Sequence, residues 1–142
     1  MNTLSNIDII NKLKEYGITI NEVTSKDLLP NKLLNGWYII NLQNHNKGHG
    51  THWTCFYYSL GEVSLYFDSF GFDCPEHLHL KLNPYIYNHK EIQDLDSSAC
   101  GWFCIALIKY MNPNINVKMF RRFCNSFSNK TFLNDRILNK FL

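Results

Sequence analysis

The chain has 142 residues, 45% of them hydrophobic and 18% charged, with ten Phe and eight Tyr. That is enough apolar chain for a single packed domain over 1–142, and it excludes disorder, collagen and coiled coil. The net charge of +2 conceals an asymmetry, because residues 113–142 carry six basic side chains against Asp135 alone. No apolar run approaches the roughly 18 to 20 residues that span a bilayer, and the amino-terminal residues lack the apolar core of a secretory signal. A soluble intracellular protein is expected. Its five cysteines, an odd number without an export signal, read as free thiols.

In chain order, Ile7, Ile9, Ile10 and Leu13 lie between a cap at Ser5, with Asp8 three residues on, and a stop at Gly17. This predicts a helix over about 6–16. Segment 18–35 is mixed and broken by Pro30, and 36–42 reads as a buried strand. The polar, glycine-bearing stretch 43–50 is a loop. Two aromatic and β-branched runs, 52–58 and 63–68, predict a hairpin. A three-residue loop 59–61 with Gly61 in the left-handed position sets its register. His52 then faces Asp68 directly, Trp53 faces Phe67, Cys55 faces Leu65 and Tyr57 faces Val63, which makes one face uniformly apolar.

After a Gly/Pro-punctuated connector (71–84) and a short strand at 85–87, residues 93–100 form a polar loop. An apolar run over 101–111, ended by Asn112-Pro113, predicts a buried helix with Ser97 or Ser98 as its N-cap. Two further helices, about 117–126 and 132–141, turn Phe120, Phe123, Phe132, Leu133, Ile137 and Phe141 inward.

Cys100 stands two residues after the candidate cap Ser98, in the first helical turn, where unpaired amide donors and the macrodipole favour a thiolate. Cys104 and Cys55, in apolar runs, read as structural thiols. A carboxylate across a hairpin from an imidazole holds the ring in one tautomer and stabilises the imidazolium. His52 and Asp68 therefore supply a base and its orienter. Gln93, on the same loop as Cys100, is a candidate donor to an oxyanion generated beside the sulfur, together with the backbone N–H of Cys100. These features point to a cysteine hydrolase.

Gly50-Thr51-His52-Trp53, Tyr66-Phe67-Asp68-Ser69-Phe70-Gly71-Phe72, Gln93 and Ser98-Ala99-Cys100-Gly101-Trp102-Phe103-Cys104 resemble, in order and spacing, the adenovirus maturation protease family, adenain. The resemblance covers about 36–111 and is closest to the proteases of virophages and Polinton-type elements, with Ulp-type peptidases as a related branch. It implies an α+β, papain-like fold in which a mixed central β-sheet is flanked by helices and the nucleophile starts a buried helix. It also implies that Cys100 is nucleophile, His52 general base and then acid, Asp68 orienter and Gln93 oxyanion donor. Adenain itself has Glu where this chain has Asp68. By the same resemblance the protein is a cysteine endopeptidase of virion maturation, working as a monomer on capsid or other structural precursors in the virion and the infected cell interior. It would cleave next to glycine, with Trp53 and Trp102 as walls of a narrow cleft. No cofactor is needed for the chemistry, although DNA or a peptide could activate it.

Lys118, Arg121, Arg122, Lys130, Arg136 and Lys140 are the candidate contacts to DNA, weighed against the plainer reading of a solvated helix face. Three alternatives stand beside the maturation protease. One is a Ulp-type peptidase acting on a ubiquitin-like modifier, and another is a protease-derived protein that only binds. The third is a metal-binding module using His45, His49 and His52 with Cys100 and Cys104; its spacings do not match the usual structural zinc knuckles, and no metal is assigned.

Overall fold

A computed structural model describes residues 1–45 and 52–142, so most of the loop expected over 43–50 lies outside the described residues. Five strands form one sheet in the order β1 to β5: Glu22–Ser25, Gly36–Asn41, Trp53–Tyr58, Ser64–Phe67 and Tyr85–Tyr87. The sheet is mixed, with β1–β2 and β4–β5 parallel and β2–β3 and β3–β4 antiparallel. The described α-helices are α1 (Asn6–Glu15), α2 (Glu76–Leu82), α3 (Cys100–Met111), α4 (Val117–Asn125) and α5 (Asn134–Leu138). This is an α+β architecture with apolar side chains buried on both faces of the sheet.

The two faces separate by residue parity, as the pleat requires. Trp37, Ile39, Trp53, Cys55, Leu65 and Phe67 pack with α1, α3 and α4, whereas Tyr38, Ile40, Phe56 and Tyr66 pack with Leu78 and Leu82 of α2. Helix α3 is apolar almost all round, with nine of its twelve residues buried, which is the pattern of a helix enclosed on several sides. The capping box of α1 forms as its sequence predicts: Asp8 N–H donates to Ser5 Oγ at 3.1 Å and Ser5 N–H to Asp8 Oδ2 at 2.9 Å. Gly17 ends that helix at φ +68.

The hairpin register differs from expectation by two residues. Cys55 pairs with Phe67, Phe56 with Tyr66 and Tyr57 with Leu65. Gly61 does hold a positive φ of +78, but it is the third residue of a turn closed by Glu62 N–H to Ser59 C=O. Ser59 N–H then bonds Ser64 Oγ at 3.1 Å, and these local bonds make the connection longer than three residues. A slip of two keeps every side chain on its intended face, whereas a slip of one would invert them all.

Two elements escaped the pattern. Strand β1 is a half-buried edge strand throughout and so carries no alternation. Helix α2 spells Leu78, Leu80 and Leu82 with period two, yet it buries Leu78 and Leu82 and leaves Leu80 91% exposed. The stretch 132–141 is not one helix but a 3₁₀ turn at Thr131–Leu133, α5, and a second 3₁₀ turn at Asn139–Phe141. Phe132, expected inside, is 70% exposed. The buried Asn134 holds that corner instead, donating to Ile92 C=O and Ser128 C=O.

Candidate active site

Helix α3 begins at Cys100 itself, and its N-cap is Ala99, which makes no side-chain cap bond. Neither Ser97 nor Ser98 caps it. Ser97 Oγ instead accepts from Ala99 N–H at 3.1 Å and donates to Asp135, while Ser98 Oγ donates to Met1 C=O. Cys100 is thus the first helical residue, one of those whose N–H the helix leaves without an internal partner.

The fold brings Cys100, His52 and Asp68 together at one end of the β3–β4 ladder. Trp53 N–H donates to Cys100 Sγ at 3.4 Å. His52 Nε2 lies 2.8 Å from Asp68 Oδ1, and the Cys100 side chain is near enough to the ring to favour its charge. With Nε2 engaged by the carboxylate, Nδ1 is the ring nitrogen left for the sulfur. The ion pair is not directly cross-strand. The paired ladder ends at Cys55–Phe67, and continuing its register beyond that pair sets Asp68 diagonal to His52, while the Phe70 ring stacks on the imidazole with centroids 4.7 Å apart.

The electrostatics follow from this packing. Burial opposes charge on His52, but its bond to Asp68 and the nearby Cys100 side chain outweigh that and push its pKa up to about 9, so the imidazolium is its form at neutral pH. Asp68 is 1% exposed. Its Oδ1 accepts from both His52 and Phe70 N–H, and its Oδ2 has no hydrogen-bond partner among the described residues. Asn88 clamps its backbone, accepting from Asp68 N–H at 3.2 Å and donating to Asp68 C=O at 2.6 Å. Burial also acts on three of the other thiols. It pushes Cys74 up to about 11 and Cys124 up to about 12, and lifts Cys104 well above the ordinary range.

Gln93 is fully buried at the base of the loop that leads to Cys100. Its Oε1 accepts from Ser69 Oγ and its Nε2 donates to Ser97 C=O at 2.8 Å. The amide therefore braces the loop from within, fastened to Ser69 beside Asp68. The carboxyl-terminal segment supports the same loop from outside, through Asp135 to Ser97, Thr131 to Asp94 and Asn134 to Ile92. Sequence reasoning missed Phe70, Asn88, Ser69, Ser97 and Asn134 as positioning residues. The only early signal was the concentration of Asn and Ser in the segments flanking Asp68 and Cys100.

Trp53 is buried, its Nε1 donating to Leu4 C=O at 2.8 Å, and Trp102 is half-buried, its Nε1 donating to Asn2 C=O at 3.1 Å. Together with Ser98 they tie the extended segment before α1 across the start of α3. Gly101 lets that segment pass closely, because a Cβ would sit 3.3 Å from the Leu4 side chain and Leu4 would have to shift. The six basic residues are all exposed. Lys118, Arg121 and Arg122 share one face of α4, while Lys130, Arg136 and Lys140 are spread over the segment that follows.

The metal alternative is not assembled among the described residues. His45 pairs with Asp27, His52 with Asp68, and His49 lies outside the described residues. A different set, Asp73, Cys74 and His79, does bring three ligand atoms within 4.8 Å of one another, away from the Cys100 site. Among the described residues no helix is long and apolar enough to cross a membrane. Comparison with protein-family models and with curated proteins finds no match to this chain.

Proposed function

We propose that this chain is an adenain-like cysteine endopeptidase with a papain-like arrangement, which cleaves capsid or other virion precursor proteins next to glycine during particle maturation. The observation that carries the reading is Cys100 at the first position of α3, within electrostatic reach of an imidazole that Asp68 holds and keeps protonated. An imidazolium is the counter-ion a nucleophilic thiolate needs.

In the proposed reaction the Cys100 sulfur attacks the scissile carbonyl carbon and forms the C–S bond, and the electron pair of the C=O bond moves onto oxygen. The resulting oxyanion takes hydrogen bonds from the Cys100 N–H, with Gln93 Nε2 as second donor once it turns from Ser97. His52 then gives its proton to the leaving amine nitrogen as the C–N bond breaks. Water attacks the thioester, His52 takes one of its protons, and Cys100 leaves as thiolate. Asp68 keeps the ring oriented through both halves of the cycle, and Phe70 covers its face. Trp53 and Trp102, tied to the amino-terminal segment, are the proposed walls of a narrow approach and the basis of the proposed preference for glycine. The reading assigns the protein to the virion and the infected cell interior, working as a monomer.

The test is limiting alkylation of the purified protein with peptide mapping, followed by incubation with glycine-containing peptides and their bulky-residue counterparts. Cys100 is expected to be modified before Cys55, Cys74, Cys104 and Cys124, with cleavage lost in proportion and bulky peptides cut poorly. Uniform labelling of all five cysteines with cleavage retained would refute the assignment.

A further inference from the structure

We infer that the cleft between the segment before α1 and strands β1–β2 is a peptide-binding subsite, in which the Asn41 side-chain amide donates a hydrogen bond to an amide carbonyl of the bound peptide. This rests on the endopeptidase reading above. The cleft has a volume of about 540 Å³, and Leu4, Ser5, Val23, Thr24, Asn41 and Trp53 are among the residues that line it. That is the size of a site for a short peptide segment.

Asn41 closes the end of β2 and is 2% exposed. Its Oδ1 accepts from Gln43 N–H at 2.9 Å, but its Nδ2 has no hydrogen-bond partner among the described residues. Buried polar groups are ordinarily paired, and one left open at the wall of a cleft calls for a ligand atom. Because the oxygen is already engaged, only a donor remains, so the missing group is an acceptor. Asp8 on the same cleft wall disfavours a carboxylate and selects a neutral carbonyl.

Position connects this donor to the proposed chemistry. Asn41 is the register partner of Trp53, whose N–H bonds the Cys100 sulfur, and both side chains lie on the sheet face that packs against α3. Neighbouring strands lie about 4.8 Å apart and an extended peptide advances about 3.3 Å per residue. Added to the 3.4 Å between Trp53 N and the Cys100 sulfur, this makes roughly 8 Å, so a carbonyl reaching Asn41 belongs to a residue about two or three positions from the scissile bond. It comes from either the peptide backbone or an Asn or Gln side chain at that place.

The experiment compares wild type with Asn41→Asp, which keeps the acceptor for Gln43 and the side-chain volume but replaces the donor by a carboxylate oxygen. A long peptide that spans the cleft should lose tenfold or more in kcat/KM. A short peptide that ends before Asn41 should lose nothing, and the alkylation rate of Cys100 should be unchanged. On wild type, a backbone thioamide or a Gln→Leu change at the candidate peptide position identifies the carbonyl source, and needs no variant to fold. Equal rates on long peptides for both proteins, equal losses on long and short peptides, or indifference to both peptide changes would each overturn the subsite. Binding of the long peptide to Cys100→Ala, with and without Asn41→Asp, separates the two readings. Weaker binding caused by Asn41→Asp supports the subsite even if no cleavage is found, and absence of any binding refutes it.

Discussion

Replacing Asp68 by asparagine tests the electrostatic core of the site. The His52 pKa is pushed up to about 9 from an ordinary 6.5, which corresponds to about 3 kcal/mol of preference for the imidazolium. Asp68 supplies a large part of it, because burial acts in the opposite direction. In Asp68→Asn the side-chain carbonyl can still accept from His52 Nε2 and Phe70 N–H, but without the negative charge, and the new amide nitrogen would occupy the place of an oxygen that has no partner. Two effects follow. The imidazole should titrate near or below 6.5 rather than near 9. The buried N–H₂ should cost about 1–3 kcal/mol of stability at any pH.

The sign of the pH dependence is definite. A folded-state pKa above the unfolded value stabilises the protein fully below about 6.5, and that contribution is lost as pH rises through about 9. Wild type should therefore lose up to about 3 kcal/mol between these values from this group, and the variant should not. The measurement is NMR titration of the labelled His52 ring, assigned with His52→Ala, alongside denaturant unfolding at several pH values. A His52 that still titrates near 9 in Asp68→Asn would refute the reasoning. In activity, His52→Ala should remove nearly all cleavage, and Asp68→Asn should do less harm.

Gln93→Ala should lower kcat by about 10²–10³ with little change in KM, the usual scale for one oxyanion donor. Ser69→Ala, which loosens the same brace without removing the donor, should act mainly on melting temperature, and a matching profile for the two variants would leave Gln93 as a structural strut. For the tail, about four phosphate contacts would make log K for DNA fall with log salt at a slope of roughly −3 to −4. Arg121→Gln with Arg122→Gln should flatten it without altering cleavage of a short peptide in the absence of DNA. Fluorescence anisotropy reads the slope, and no affinity at low salt would return these residues to a solvated helix face.

Elements whose local chemistry and burial agree could be read from the chain alone. The Ser5/Asp8 box and Gly17 mark out α1 because capping bonds are made within a few residues, and the apolar run from Gly101 identifies α3 because nearly every side chain in it is buried. The faces of β3 and β4 were legible because parity survives a two-residue slip, so His52 and Asp68 were brought near each other even from an incorrect register. Strands β2 and β5 and helix α4 were legible in the same way, whereas the geometry of the site waited on the packed fold. The diagonal reach of Asp68 depends on a turn lengthened by Ser59 and Ser64, and the start of α3 at Cys100 depends on Ser97 being drawn to Asp135 from far along the chain. The burial of Leu78 and Leu82, with Leu80 left outside, follows from the sheet face above α2. Gln93 acts as a brace because Ser69 and Ser97 converge on it. Asn41 faces a cleft because α1's leader segment crosses near Trp53. In most of these cases the deciding partner is remote in sequence, and no local pattern of propensity or periodicity encodes it.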